Sequence, residues 1–275
     1  MTLPAPTLDH VAINVHDQMD VAAERYRRLG FTLTPRGFHS LGSMNHLAIF
    51  GTDYLELIGV PTGATDRADL MGWPIGLNGL VWGTEDSAGV HAALTEAGVP
   101  CLPPGEFTRP VALPDGPRDA TFRTVRLPND TTPGGRLYFC HHLTRDLVWR
   151  DEWRRHANGT IGIAAAVIEA KDPSRLGDLF GRIFGADAVR PIERGIRLAV
   201  GLTDFDVVTP PEIVRRYGPA APPMHERDEA MVALVLRTTS LDAAADIDAP
   251  GLTRSAHQVI VPAAAAFGTT LVFQE

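Results

Sequence analysis

The sequence is poor in three features that would each point to a particular class of protein. Only two of its 275 residues are cysteine, Cys101 and Cys140, and their spacing matches no zinc motif. We therefore expect free thiols packed as small apolar groups. Lys171 is the only lysine and the formal net charge is -8, so nucleic acid is not an expected partner. No apolar run approaches the roughly 20 residues that span a bilayer, so we expect no membrane partner.

The first ten residues, MTLPAPTLDH, also lack the basic and apolar regions of a signal peptide, which favours a cytoplasmic protein. The hydrophobic share of 44% and the charged share of 21% are typical of a globular protein. A chain of this length is sufficient for two domains with cores of their own.

One pattern, a strand followed by a helix and three further strands, recurs four times along the chain. The first copy spans residues 7–60 and the second spans 77–142. A third begins at IGIAAAVIEA (161–170), and a fourth, the weakest, begins at MVALVLRTTS (231–240). Helix N-caps are predicted at matching points of the first three copies: Asp17, Asp86 and Asp172.

These repeats predict an α+β fold of four βαβββ units that are paired into two sheets. Pairing is expected because a lone unit would leave one edge of its sheet open. The first domain then covers residues 1–142, a connector with a bridging helix covers 143–159, and a second domain covers 160–275. Within the second domain, Pro210 to Pro223 is interpreted as a proline-rich linker.

The first unit carries two polar residues on strands that are otherwise apolar, His10 in LDHVAINV and Glu56 in YLELIGV. A carboxylate in a half-buried apolar strand needs a partner, and an imidazole with a carboxylate suits several divalent metals. A third group depends on the hairpin before Tyr54. A three-residue loop would place His46 beside Glu56, whereas a four-residue loop would place Asn45 there.

The LDHVAINV and YLELIGV segments, with HSLGSMN between them, resemble the glyoxalase-like proteins of the vicinal oxygen chelate superfamily. The resemblance implies that each pair of units forms a cup and holds a divalent metal (Fe, Mn, Ni, Zn or Co). Such a metal chelates two neighbouring oxygens of the substrate. It implies His10 and Glu56 as metal ligands. The hairpin adds His46 as the third ligand, with Asn45 or His39 as the other choices.

The later units depart from that ligand pattern. The positions that correspond to His10 and Glu56 are, in order of units, Gly79 and Tyr138, Ala165 and roughly Val207, and Ala233 and roughly Phe273. The second domain is therefore expected to lack a metal. Its cup should be filled by side chains such as Val167, Leu198, Val207 and Phe273.

Further roles are assigned to residues expected around the first cup. The proton-transfer candidates are His46, His39 and Tyr138. The expected substrate contacts are Asn45, Trp82, Phe122 and His142.

The leading hypothesis is a metal-dependent glyoxalase-like enzyme that acts on a small oxygenated metabolite. Its chemistry would be of the isomerase or lyase type, through a chelated enediolate or carbonyl. One alternative is an extradiol-type ring-cleaving dioxygenase that uses His10, His46 and Glu56. Another is a metal-free binding or resistance protein, because one unit offers neither ligand. A small molecule is the expected partner, and a homodimer is left open.

Overall fold

A computed structural model describes residues 7–64, 67–113, 115–223 and 227–275. Among these residues, none of the helices combines the length and the apolar character that crossing a membrane requires.

The first half of the chain forms one eight-stranded sheet with the strand order β2-β3-β4-β1-β5-β8-β7-β6. Its elements are β1 (Leu8–Asn14), α1 (Met19–Arg28), β2 (Gly37–Phe38), β3 (Met44–Ile49), β4 (Tyr54–Gly59), α2 (Ala68–Met71), β5 (Gly76–Gly83), α3 (Ser87–Glu96), β6 (Gly105–Val111), β7 (Arg118–Arg126) and β8 (Arg136–His142). The first strands of the two units, β1 and β5, pair antiparallel at the centre of the sheet.

The second half repeats this order as β10-β11-β12-β9-β13-β16-β15-β14. Its elements are β9 (Thr160–Ala170), α4 (Pro173–Phe184), β10 (Val189–Ile192), β11 (Gly195–Val200), β12 (Thr203–Val208), α5 (Pro210–Tyr217), β13 (Glu229–Thr238), α6 (Leu241–Ala245), β14 (Thr253–Arg254), β15 (Val259–Val261) and β16 (Thr270–Gln274). The predicted α+β fold of two paired-unit sheets is confirmed.

Two of the three predicted helix caps are found. The Asp86 carboxylate accepts from the Gly89 amide at 2.8 Å, and the Asp172 carboxylate accepts from the Ser174 amide at 3.0 Å. The cap expected at Asp17 is wrong, since α1 is preceded by Gln18 and has no side-chain cap. His16, with φ of 52°, turns the chain one residue before Asp17 and so delays the helix.

The connector does not form the expected bridging helix. It contains two single 3₁₀ turns, Arg145–Leu147 and Asp151–Trp153. Between them, Trp149 packs its ring 5.3 Å from that of Tyr54, under the Arg145 guanidinium. That packing interrupts the helical spacing on which the prediction depended.

The segment interpreted as a proline-rich linker is partly helical, because α5 occupies Pro210–Tyr217. Pro210 and Pro211 stand at its first two positions, where proline has no helical hydrogen bond to lose.

A large apolar core joins the helix-covered faces of the two sheets. Trp82 is fully buried in it, with its ring 4.9 Å from Phe184 and 5.4 Å from Phe205, both from the second half. The expected place of Trp82 at the substrate is therefore wrong. Position alternation along β5 turns its ring to the face opposite the cup, and it stabilises the contact between the halves instead.

The second cup is filled by side chains, in part by different ones from those expected. Val167 lies there, together with Val208, Ile213, Tyr217 and Val272. Leu198, Val207 and Phe273 are buried too, but on the opposite face, in the core between the halves. The register shows the reason. Asp206 pairs with Val167 as Glu56 pairs with Ala12, so the counterpart of Glu56 is Asp206 and not the expected Val207.

Candidate functional site

The inner face of the first sheet lines a pocket of about 40 Å³ that opens to solvent. Both units contribute to its lining. His10 comes from β1, Asn45 from β3 and Glu56 from β4, whereas Arg109 comes from β6 and Tyr138 from β8. The equivalence predicted for Tyr138 is found. Tyr138 of β8 pairs with Val81 of β5, as Glu56 of β4 pairs with Ala12 of β1.

The hairpin between β3 and β4 decides which residue accompanies Glu56. Ile49 pairs with Tyr54, and the Phe50 amide donates to the Asp53 carbonyl at 2.9 Å, so the loop has four residues. Asn45 consequently shares the face of Glu56, and its Nδ2 donates to Glu56 Oε1 at 2.7 Å.

His46 lies on the other face of β3. Its Nδ1 is 2.7 Å from the Thr34 carbonyl oxygen, and its Nε2 accepts from Arg36 Nε at 3.3 Å. The expected place of His46 in the cup is therefore wrong, and with it the set His10, His46 and Glu56. The physical reason is the single extra residue in the hairpin, which reverses every side chain of β3 relative to β4.

His10 is oriented from behind by Asp9. Burial alone would raise the pKa of Asp9, but the charges and hydrogen bonds of His142 and His10 hold it well below its usual range. Asp9 is thus an acceptor, and His10 Nδ1 donates to it at 2.6 Å. The remaining ring nitrogen, Nε2, faces the cup, 3.3 Å from the Tyr138 hydroxyl. Metal-ligating histidines are commonly oriented in this way.

Glu56 lies between two imidazoles. Its Oε2 is 3.8 Å from His10 Nε2, and its Oε1 is 3.9 Å from His39 Nε2. The residue is only 5% exposed, yet no arginine or lysine of the described segments lies within 4.0 Å of its carboxylate. A buried carboxylate without a strong cationic partner is costly to keep.

His39 and Tyr138 both lie in the cup, as predicted. Burial lowers the pKa of His39 to about 4, so its ring is neutral at neutral pH, with Nδ1 2.8 Å from the Ser43 hydroxyl. Burial raises the pKa of Tyr138 well above its usual value, so the phenol keeps its proton and remains a donor.

The other expected substrate contacts are divided. Phe122 lines the cavity and stacks on Phe107 with ring centroids 5.0 Å apart. His142 lies beneath the cup instead, where its Nε2 donates to Asp9 at 3.0 Å. Its position at the end of β8 directs it toward the connector, and its ring packs against Trp149.

Four arginines in the lining were missed by the sequence reasoning: Arg67, Arg109, Arg126 and Arg136. A signal was present in the F-x-R-x-V pattern of β6, in which Phe107, Arg109 and Val111 alternate on one face. The same alternation puts Arg136 on the face of Tyr138.

The donor set fits a divalent metal at His10 and Glu56. Two ligands about 2.1 Å from one ion lie roughly 3 to 4 Å apart, which the 3.8 Å between His10 Nε2 and Glu56 Oε2 satisfies. Oxygen and nitrogen donors of this type suit several divalent ions.

A second donor set lies behind His10. In the part of the chain that the structure describes, Asp9, Cys140 and His142 alone bring three donor atoms within 4.8 Å of one another. Burial raises the pKa of the Cys140 thiol well above its usual value, and the thiolate is the form that binds metal. Asp9 Oδ1 in this set is already bound by the His10 and His142 rings.

Comparison with solved structures gives whole-chain similarities at low sequence identity. A hypothetical protein from Staphylococcus aureus has a TM-score of 0.69 at 12% identity, over 97% of this chain and 98% of that one. A mutant of 4-hydroxymandelate synthase from Streptomyces coelicolor has a TM-score of 0.57 at 11% identity, over 99% and 94%. A xylose isomerase-like TIM barrel/4-hydroxyphenylpyruvate dioxygenase fusion protein also gives 0.57, at 13% identity, over 100% and 50%. These similarities show the fold alone.

Sequence comparison gives the family. No curated protein sequence matches the chain. The family model described as "Glyoxalase-like domain", however, matches residues 8–184, a span that includes His10, Glu56 and Tyr138. The chain therefore belongs to the glyoxalase-like domain family of the vicinal oxygen chelate superfamily.

Proposed function

We propose that the chain is an enzyme that acts on a small oxygenated metabolite in the first cup, with a divalent metal held by His10 and Glu56. The observation that carries this proposal is the Glu56 carboxylate, which is buried without an arginine or lysine partner in the described structure. It faces Nε2 of His10, whose ring is fixed by Asp9 through Nδ1. A cation between the two would satisfy both groups.

The metal, when bound, would supply a Lewis acid for two neighbouring oxygens of the substrate. The chain itself orients and moves protons. Asn45 holds Glu56 in place through its 2.7 Å hydrogen bond, and Asp9 fixes the His10 ring. The Tyr138 hydroxyl, beside His10, is available to donate a hydrogen bond to a substrate oxygen.

Proton abstraction next to a carbonyl is the reaction that best suits these groups. A proton leaves the substrate carbon for Nε2 of neutral His39, and the electron pair of the C–H bond moves onto the carbonyl oxygen. Tyr138 stabilises that oxygen by its hydrogen bond. Return of the proton to the same carbon or to its neighbour gives an epimer or an isomer, so atoms and charge balance.

Ring cleavage by a dioxygenase is less well supported. A two-histidine, one-carboxylate site would have used His46, which lies on the opposite face of β3. His39 is the remaining second histidine of the cup, but it faces the other oxygen of Glu56. Oxygen uptake with catechols after ferrous loading is the experiment that would favour this alternative.

Metal content tests the proposed site. The full chain is purified without chelators, and its bound metal is measured beside His10→Ala, Glu56→Gln, His142→Ala and a His46→Gln control. We expect the first two variants to lose the metal while His142→Ala and the control keep it. If only His142→Ala lost the metal, the metal site would be assigned to the second donor set, Asp9, Cys140 and His142. Equal metal in all variants would refute the assignment.

Turnover tests the reaction. Solvent deuterium exchange into hydroxyacetone, pyruvate and related 2-oxo and 2-hydroxy compounds is followed by NMR. We expect exchange with at least one compound class and a loss of about 100-fold or more in His39→Gln. Binding of a compound without any exchange or conversion would favour the binding-protein alternative.

A further inference from the structure

Arg109 is a buried charge for which the described residues provide no partner. It is 4% exposed, and no described residue accepts a hydrogen bond from its Nε. Within the described residues it takes part in no ion pair. Burial lowers the pKa of Arg109, and the charge of Glu56 acts in the opposite direction. A guanidinium stays protonated in proteins, so this side chain brings a lasting positive charge into the cup.

The surrounding chain makes room for that guanidinium. Gly37 of β2 lies against it, and a Cβ at that position would be 2.4 Å from Arg109 Cδ and 2.5 Å from Asn45 Oδ1. On β6 the residues that share its face, Phe107 and Val111, pack into the apolar wall. The position is therefore a built one, and Arg109 is held facing the cavity.

Two further arginines of the lining have N–H groups that form no hydrogen bond with the described residues. Arg136 Nε donates to Asn78 Oδ1 at 2.7 Å, but its Nη2 finds no hydrogen-bond partner among the described residues. Arg126 Nε donates to the Thr124 hydroxyl at 3.3 Å. For neither of them does the described structure give a carboxylate within 4.0 Å. Arg67 differs, because Asp69 neutralises it with bonds of 2.7 and 2.8 Å.

The charges of the lining do not balance. Among the described residues, Asp69 compensates the charge of Arg67 and Glu56 that of one further arginine, so two of the four arginines remain without a counter-charge. A divalent cation at His10 and Glu56 would increase this imbalance. An anion would reduce it, and a guanidinium presents its donors in the fork that carboxylates and phosphates accept.

We infer that the molecule that binds in the first cup is a small anion whose carboxylate or phosphate group is held by Arg109 and Arg136, with Arg126 beside them. The inference adds the substrate class to the proposed function and rests on it for the place of binding. The second unit, which lacks the metal-ligand pattern, thereby provides the anion site. The first unit provides His10, His39 and Glu56 for the reacting end of the same molecule.

Binding of defined anions tests the inference without any need for turnover. Isothermal titration of the full chain, freed of metal by dialysis, uses succinate, inorganic phosphate and the neutral isostere succinamide. The variants are Arg109→Gln and Gly37→Ala, which displaces the guanidinium without removing it. Arg123→Gln is the matched control, since Arg123 is an exposed arginine on β7 that pairs with Glu106 outside the cavity.

We expect at least one of the two anions to bind the wild type, with succinamide at least about tenfold weaker than succinate if succinate is the ligand. Arg109→Gln and Gly37→Ala should each lower the affinity for the anion about tenfold or more, and Arg123→Gln should leave that affinity within about twofold of the wild type.

Binding of succinate alone identifies a carboxylate site, and binding of phosphate alone identifies a phosphate site. No binding of either anion, or equal binding by Arg109→Gln in a correctly folded protein, would overturn the inference. Because metal content is measured separately, failure of the metal site leaves this result interpretable, and the reverse also holds.

Discussion

The two halves of the molecule carry a carboxylate at equivalent positions of their two sheets, but the two carboxylates have opposite surroundings. In the first half, Glu56 pairs in register with Ala12 and faces an open cavity between two imidazoles. In the second, Asp206 pairs with Val167. It is neutralised by Arg197 Nε at 2.5 Å and Arg216 Nη1 at 2.8 Å.

The segment after the fourth strand of each sheet makes this difference. Beyond β12, the eight-residue helix α5 carries Arg216 to the carboxylate and Ile213 and Tyr217 into the cup. Beyond β4, the helix α2 has only four residues, and Arg67 before it pairs with Asp69 rather than with Glu56. A longer helix fills one cup, and a shorter one leaves the other open.

The comparison separates stability from function within one fold. Groups in the second cup satisfy each other, so they contribute to folding without a ligand. Groups in the first cup include a carboxylate and a guanidinium that make no ion pair with an arginine, lysine or carboxylate of the described residues, and each costs stability until something binds. The next experiments test whether the two carboxylates differ in this way.

The largest effect is expected from removing the charge of Asp206. Asp206→Asn leaves Arg197 and Arg216 facing a neutral group, which should cost about 3 kcal/mol of unfolding free energy and lower the melting temperature by roughly 5 °C. Metal content and anion binding in the first cup should not change. Glu56→Gln, compared by urea and thermal unfolding, should retain wild-type stability while it loses the metal. Equal destabilisation by both variants would show that the cups do not differ.

A loss of similar size is expected when the second cup is emptied. Ile213 is 2% exposed, and Ile213→Ala should cost about 2–4 kcal/mol through lost burial and a cavity. The matched truncation in the first cup, Phe107→Ala, removes a partly buried wall of the cavity. It should cost less in stability but weaken anion binding. Urea unfolding at constant m-value measures both, and a larger stability loss for Phe107→Ala would contradict the comparison.

The junction between the halves predicts a pH-dependent effect of up to about 3 kcal/mol. Burial raises the pKa of Asp53 to about 6, although the Ile163 amide donates to it at 3.0 Å and Arg237 acts to lower it. A folded-state pKa about 2 units above the unfolded value favours the protonated form. The stability that Asp53 contributes is therefore present below about pH 4 and is lost as pH rises through 6.

Asp53→Asn removes this titration. Its unfolding free energy relative to the wild type should rise between pH 4 and pH 7, reaching the full difference at the upper end. Denaturant unfolding at several pH values measures that difference, and Asp20→Asn at an exposed position is the control. A difference that stays constant across the range would show that Asp53 is not the buried acid of the junction.

The sequence predicted those features that depend on local patterns. Apolar alternation and turn residues located β1 and β4, and so placed His10 and Glu56 on neighbouring strands. The repeat predicted Tyr138 as the counterpart of Glu56, and the caps Asp86 and Asp172 followed from their short polar side chains before helical stripes. Each of these depends on residues within one unit.

The features that were missed depend on contacts between units or on one residue of register. The four-residue hairpin places Asn45 in the cup instead of His46. That loop makes a tertiary contact which local propensity does not predict, since the Asp53 carboxylate accepts from the Ile163 amide of the other half. Trp82 belongs to the contact between halves for a similar reason, since its partners come from β12 and α4. Arg109 was not identified from the sequence, because its pocket is completed by Gly37, far away in sequence.

The smallest expected effect has the opposite sign, and it tests the first cup most directly. Arg109→Met keeps the length and apolar stem of the side chain but removes the unpaired guanidinium. Since the wild-type residue is 4% exposed and without an ion-pair partner in the described structure, the variant should be more stable than the wild type by about 1 kcal/mol. It should also lose anion binding, as is expected of Arg109→Gln.

Arg216→Met in the second cup is the counterpart. It should destabilise the protein, because it leaves Asp206 with Arg197 alone. Thermal and urea unfolding without added anions measure both variants. If Arg109→Met were destabilised as much as Arg216→Met, Arg109 would be a structural residue, and the two cups would be alike in how they hold their charges.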